Sequence, residues 1–322
     1  MTMARVVEAT APCRVDLAGG GPGASVLAVA IDRRVSCRVE TGPSGVELES
    51  RDTLRKASAP DLNAVGEVPS LGLAVEVLRA LDVRTGLRVT TQTRLADGTG
   101  LGDAGALAVA LTGAVARALG RDLSSDDVLR VAAEAARHAA RDAPAAGAEA
   151  AAVHGGIVAV DHGAAAGAEV LPVDPARVEE SLLLVDTGRA ARSVPPVSRD
   201  ATDAVRAALL AGRLEEILDL WAEDWKAGRE GVAGWPPPEA GRVTDVVLAA
   251  GGATRLCGVG RGRVLAVWAP PGPRGAGRRE AVQAALRSCG VRLFAGRVDL
   301  RGLDVECEEP GYNEGFGEVA KE

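Results

Sequence analysis

Residues 94–111 read RLADGTGLGDAGALAVAL, in which Gly98, Gly100 and Gly102 run straight into a helical pattern. Glycine lets the backbone approach a phosphate closely, and a following helix offers free N–H groups and the positive end of its dipole. Gly98, Thr99, Gly100, Leu101 and Gly102 are therefore candidate phosphate-binding residues. The next residue, Asp103, puts a negative charge where a phosphate would sit. As an N-cap it would satisfy the N–H groups of Gly105 or Ala106 itself and compete with a triphosphate for them. It could instead take up magnesium, a metal that suits carboxylates. Self-capping is the preferred expectation, because Asp is so common at N-caps.

The elements that must position this loop follow from periodicity. ARVVEATAPCRVDLAGGG opens as a strand running into a glycine turn, and AVAIDRRVSCRVET and TGLRVTTQTRL alternate as strands. SLGLAVEVLRAL has helical spacing, and DAGALAVALTGAVARALG is a long helix ended by Gly120. Ser124 and Ser125 can cap a helix over DDVLRVAAEAARHAAR, and GGIVAVDHG is a short strand. Near residue 167 the pattern restarts. EVLPV and SLLLVDTG read as strands, DAVRAALLAGRLEEILDLWAEDWKAG as helical, and GWPPPEAG as a proline-rich turn. RVTDVVLAAGGA is a helix, RLCGVGRGRVLAVWAP a glycine hairpin with a strong strand, and REAVQAALRSCG a last helix. The expectation is an α+β chain of two domains, 1–165 and 166–308, with a flexible tail over 309–322.

Bulk composition narrows the function. At 322 residues the chain can bury a real core, and 47% hydrophobic with 25% charged residues is ordinary globular composition. A net charge of -7 gives no support to a nucleic-acid or membrane-surface partner, and 2% aromatics leaves no stacking platform. No apolar run reaches the length of a membrane span. Cys13, Cys37, Cys257, Cys289 and Cys307 show no paired spacing, which reads as buried thiols of a cytoplasmic protein.

Several motifs in a fixed order resemble the GHMP kinase superfamily, most closely its heptose-phosphate and fucose kinase branch. APCRVDLAGGG at 11–21 is similar to the branch's sugar-facing motif APxRxSxAGGG, and ADGTGLGDAGA at 96–106 to its phosphate loop PxGSGLGSSSA. RLCGVGRGR at 255–263 resembles the third motif KxxGAGxGG, and AAAVHGGIVAVD the segment after the catalytic Asp. LLLVDTGRAARS resembles a family strand that ends in TG. The resemblance implies a ribosomal-S5-domain-2-like N-terminal domain and a ferredoxin-like C-terminal domain. It further implies ATP and magnesium as cofactors if the chain is active, and none if it is not. The implied partner is a sugar or sugar phosphate, with homodimerisation left open. Arg14, Gly19, Gly20 and Gly21 would face the substrate, and Gly258, Gly260, Arg261, Gly262 and Arg263 would form the third-motif loop.

Departures from the family pattern bear on activity. Asp103, Ala104 and Gly105 stand where the family has serines, one of them a magnesium ligand. The second magnesium ligand, a Glu, counts onto Ala136, with Glu134 two positions off. The catalytic Asp counts onto Ala148, with Glu149 beside it and Asp142 six residues earlier. The family's sugar-binding Asp after GGGT is absent from GGGPGA. Phosphoryl transfer depends on charge placed around metal and phosphates, so the expectation is a catalytically impaired homologue with no carboxylate at the catalytic place. An active sugar kinase using Glu149 or Asp142 with Asp103 is the alternative, and a metabolite-binding or partner subunit a further one. Arg261 or Arg263 could bind phosphate, approach Asp103, or be solvated.

Overall fold

The computed structural model describes residues 5–19, 25–95, 98–139, 148–161, 167–190, 199–258, 262–272 and 277–308. In its first half lie β1 (Val6–Gly19), β2 (Val26–Thr41), β3 (Val46–Ser50), β4 (Arg55–Ala59), α1 (Gly72–Ala80), β5 (Leu87–Gln92) and α2 (Asp103–Ala118). α3 (Ser125–Ala139), α4 (Ala148–His154), β6 (Ile157–Val160) and β7 (Ala168–Val170) follow. The second half holds α5 (Pro175–Ser181), β8 (Leu182–Asp186), α6 (Arg199–Leu210), α7 (Glu216–Gly231) and α8 (Pro238–Ala249). It ends with β9 (Ala253–Leu256), β10 (Val264–Trp268), α9 (Arg278–Ser288), β11 (Arg292–Ala295) and β12 (Asp304–Glu308).

Two sheets organise these elements. The first runs β12-β1-β2-β5-β3-β4, with β6 joining β2 and β7 joining β6, and the second runs β11-β8-β10-β9. This is the expected two-domain α+β architecture. β7 and β12 both lie beyond residue 165, yet they hydrogen-bond into the first sheet.

β2 shows how sequence dictates packing here. Its second half, VSCRVET, alternates buried and half-buried positions, as a strand with one wet face does. Its first half, VLAVAI, is buried on both faces. Val26, Ala28 and Ala30 pack on Ala150, Ala151 and Val158, while Leu27, Val29 and Ile31 enter the main core. The alanines of α4 let that helix lie close against the sheet. α2 is buried along most of its length, and its small residues serve the same purpose.

Some expectations need correction. The helical stretch from residue 203 to 228 is two helices, broken at Ala211 and Gly212, where φ of 68° suits glycine. β3, β4, β11 and β12 are only four or five residues long and are absent from the sequence reading. The tail over 309–322 lies outside the described residues. Gly120 does end α2, one residue past the cap Leu119 at φ 69°, and Ser124 Oγ accepts from Asp127 N–H at the head of α3.

The cysteines divide. Cys13, Cys37 and Cys257 are buried as expected, but Cys289 is half-buried and Cys307 exposed. Burial, with the charge of Asp103 next, pushes the Cys13 thiol up to about 12. Burial, with the charge of Asp16 next, does the same for Cys257, up to about 12. Only thiolates react readily. Treatment of the folded protein with a neutral maleimide at pH 8 is therefore expected to modify Cys307 first and Cys289 more slowly. Peptide mass mapping should find Cys13, Cys37 and Cys257 unmodified until denaturant is added.

Candidate active site

The glycine loop leads into α2 through three glycines in the left-handed region, Gly98, Gly100 and Gly102, at φ 76°, 78° and 72°. Gly102 is the N-cap, and Asp103 is the first helical residue. This corrects the expectation that Asp103 is the N-cap. The cap position needs a left-handed backbone, and a Cβ on Gly102 would stand 2.1 Å from Arg14 Nη1. The carboxylate of Asp103 still places negative charge in the first helical turn, a favourable end of the dipole.

The third-motif segment packs beside this loop, as expected. Arg263 N–H donates to Gly98 O at 2.9 Å, and Val264 N–H to Thr99 O at 3.3 Å. A Cβ on Gly100 would lie 2.5 Å from Cys257 O and 2.7 Å from Gly262 Cα, and one on Gly258 would lie 2.4 Å from Gly100 Cα. Glycine is required on both sides of this contact. Arg263 pairs with Asp186, its Nη2 donating to Oδ2 at 2.9 Å. The reason is register, since Val264 pairs with Asp186 and brings Arg263 to the end of β8. Gly260 and Arg261 lie outside the described residues, as do Gly20 and Gly21.

The end of β1 brings charge to the loop. Arg14 N–H donates to Leu101 O at 2.8 Å, which ties the strand to the loop. Arg14 Nε donates to Asp16 Oδ1 at 2.7 Å and Nη2 to Oδ2 at 3.2 Å, a forked pair 2% and 5% exposed. Residues two apart share one face of a strand, so Arg14 and Asp16 meet there. Sequence reasoning passed over Asp16, although a lone acid between Val15 and Leu17 in an apolar strand was a signal. It also passed over Arg255 and Asp224, which meet at 3.2 Å beside the same strand end.

Glu149 completes the group. It is the second residue of α4 and only 5% exposed. Burial pushes its carboxyl above the usual range, while its own backbone N–H and the charge of Arg14 pull it down. A buried carboxylate thus stands within the influence of Arg14. The side chain of Ala148, and Asp142, lie outside the described residues. Ala136 is buried in α3 and Glu134 is half-buried. Among the described residues no group of three or more His, Cys, Asp or Glu is close enough to hold a metal ion by itself. Magnesium that comes with a nucleotide needs only one or two carboxylates besides phosphates and water, and Asp103 fits that chemistry. The glycine loop ahead of a 16-residue helix fits a triphosphate.

Fold and site together define a two-domain α+β protein with a glycine loop at the head of α2. Residues 71–156 match the GHMP kinases N terminal domain. A mevalonate kinase from Pyrococcus abyssi is 32% identical over 146 residues, 40% of this chain, and the chain spans 44% of that relative's length. The galactokinase of Lactococcus lactis superposes with a TM-score of 0.76 at 12% identity, covering 93% of this chain and 95% of that one. A D-glycero-D-manno-heptose 1-phosphate kinase from Bacteroides thetaiotaomicron gives 0.73 at 20%, covering 93% and 98%. Residues 71–156 are thus similar to the GHMP kinases N terminal domain, and the chain shares its two-domain α+β fold with these solved kinases.

Proposed function

We propose that the chain transfers a phosphoryl group from MgATP to a hydroxyl of a sugar or sugar phosphate, with Glu149 as the acceptor's carboxylate partner. The observation that carries this is the buried Glu149 carboxylate in the field of Arg14, which is itself fastened to the phosphate loop. MgATP, when bound, supplies the phosphoryl group, with magnesium neutralising its charge. The N–H groups of the loop and first turn of α2 bind the phosphates, and Asp103 is the residue that would hold the metal. Glu149 takes the proton of the acceptor hydroxyl as its oxygen bonds to phosphorus, and ADP leaves with the electrons of the broken P–O bond. Because its carboxyl is raised, Glu149 reaches its basic form only above the ordinary carboxylate range, so the rate should rise with pH there. The sugar class rests on APCRVDLAGGG, which is similar to the sugar-facing motif of the heptose-phosphate branch.

Acceptor-dependent ADP release, measured over a panel of sugars, sugar phosphates, mevalonate and homoserine, tests the proposal. A phosphorylated sugar-class product seen by mass spectrometry is the expected result. Acceptor-independent ADP release across the whole panel would count against it.

The negative charge of Asp103 beside the loop favours a second reading, a metabolite-binding homologue with weak nucleotide affinity. The two readings predict opposite signs in one variant. If Asp103 holds magnesium, Asp103→Ser should weaken MgATP binding about tenfold or more in calorimetric titration. If it repels the triphosphate, Asp103→Ser should tighten nucleotide binding, with and without magnesium.

A further inference from the structure

Between β11 and β12 the chain returns from the second sheet to the first, and it is received by β2. Asp32 N–H donates to Arg297 O at 3.0 Å, and Asp299 N–H to Ala30 O at 2.9 Å. Arg34, two residues on, engages all three of its side-chain nitrogens. Nε donates to Thr10 Oγ1 at 3.0 Å, Nη1 to Asp299 Oδ2, and Nη2 to Thr10 O at 3.0 Å and Gly302 O at 2.7 Å. The Arg34 and Asp299 side chains are 14% and 4% exposed. Asp299 Oδ1 accepts from Arg301 N–H at 2.9 Å and Gly302 N–H at 3.2 Å, so both carboxylate oxygens are satisfied and the 299–302 turn is fixed.

That turn holds the end of α4. Gly156 N–H donates to Asp299 O at 2.7 Å, Leu303 N–H to Val153 O at 3.1 Å, and Gly156 O accepts from Ala30 N–H at 2.8 Å. A Cβ on Gly302 would lie 2.2 Å from Val153 O, and one on Gly155 would lie 2.7 Å from Gly302 N. The rest of α4 has little to fix it lengthwise. Beyond Glu149 its buried side chains are Ala150, Ala151, Ala152 and Val153. Methyl groups pack closely but raise no ridges to interlock with a neighbour.

We propose that Arg34 is a positioning residue for the site: by holding the 299–303 segment against the end of α4, it fixes where that helix and its Glu149 stand along the sheet. Glu149 lies about 8 Å along the helix axis from His154, the residue at the clamped end. Arg34 itself touches no reacting atom. The proposal rests on Glu149 being the acceptor's partner for its catalytic meaning, but the clamp is readable without turnover. Without Arg34, the Gly302 carbonyl and the Asp299 carboxylate lose their shared partner, and the turn they belong to is free to lift from α4.

The test is residue-resolved amide hydrogen exchange on the full chain. In Arg34→Met the amides of Gly156 and Leu303 should exchange about tenfold faster or more, and those of Val153, His154 and Gly155 with them, while α2 stays protected. Asp299→Asn should move the same amides in the same direction, and Arg34→Lys should move them less than Arg34→Met. Unchanged exchange in α4 in both Arg34→Met and Asp299→Asn would overturn the proposal, and Asp299→Asn carries the test if Arg34→Met does not fold. With an acceptor in hand and the assay run well below Tm, Arg34→Met should lower kcat roughly tenfold or more, with MgATP affinity unchanged and partial rescue by Arg34→Lys. Full kcat in the folded variant would make Arg34 a stabilising residue only and overturn its positioning role. A loosened α4 in a chain without phosphoryl transfer would refute the kinase reading and keep the clamp.

Discussion

Glu149→Gln is expected to lower turnover by about 10²- to 10⁴-fold while leaving the affinity for MgATP unchanged. The amide keeps the shape of the carboxylate and removes its ability to take a proton. Nucleotide binding depends on the glycine loop and the first turn of α2, which the substitution does not touch. Stability gives an independent check. The folded-state carboxyl is raised, so Glu149 binds its proton more tightly in the folded protein than in the unfolded chain. Its contribution is therefore favourable at low pH and is lost as pH rises from the unfolded carboxylate value through the raised folded one. At neutral pH, Glu149→Gln should unfold at the same or a higher urea concentration than wild type. A variant that keeps full turnover, or that loses turnover only because it unfolds, would remove Glu149 from the proposed role.

Gly100→Ala is expected to cost about 2–5 kcal/mol of stability, the sum of a left-handed backbone and an overpacked contact. The added methyl would meet Cys257 O and the Gly262 backbone, atoms that cannot rotate aside as a side-chain tip could. Relief would require the two glycine segments to separate, breaking the bonds from Arg263 N–H to Gly98 O and Val264 N–H to Thr99 O. Gly72→Ala is the control, since nothing lies within 4 Å of its added Cβ. It should be neutral or slightly stabilising, by about 0.4–1 kcal/mol. Urea denaturation of both variants settles the comparison, and equal midpoints would mean that the interlock yields easily.

The glycine turn, α2 and its ending at Gly120 were legible because glycines and a long helical pattern are local signals. β3 and β4 were not, because VELES and RKASA are short and mix charge into their alternation. β12, DVECE, is worse: its place is decided by pairing with β1 across almost the whole chain. At the site, counting back from Gly155–Gly156 reached Ala148 and stopped one residue short of the buried Glu149. On a helix one residue turns a side chain by about 100°, so a count alone cannot choose between neighbours. The better signal was composition, a single acid in the run AAGAEAAAVHGG. The cap failed for a related reason. Asp is a good N-cap, but Arg14 lies where a side chain on residue 102 would stand, and that neighbour comes from another strand.

The pairing of β12 with β1 has a consequence for biosynthesis. Val6 through Thr10 are made long before their outer partners, Asp304 through Glu308. While the second half is being translated, one edge of β1 is an open row of backbone donors and acceptors, the kind of surface that invites pairing with another chain. The opposite edge is closed early by β2. Synthesis at about 5–20 residues per second leaves that edge waiting for many seconds. A nascent chain of this protein should therefore depend on chaperones until β12 is released, and truncation before residue 304 should yield aggregates rather than a smaller soluble domain.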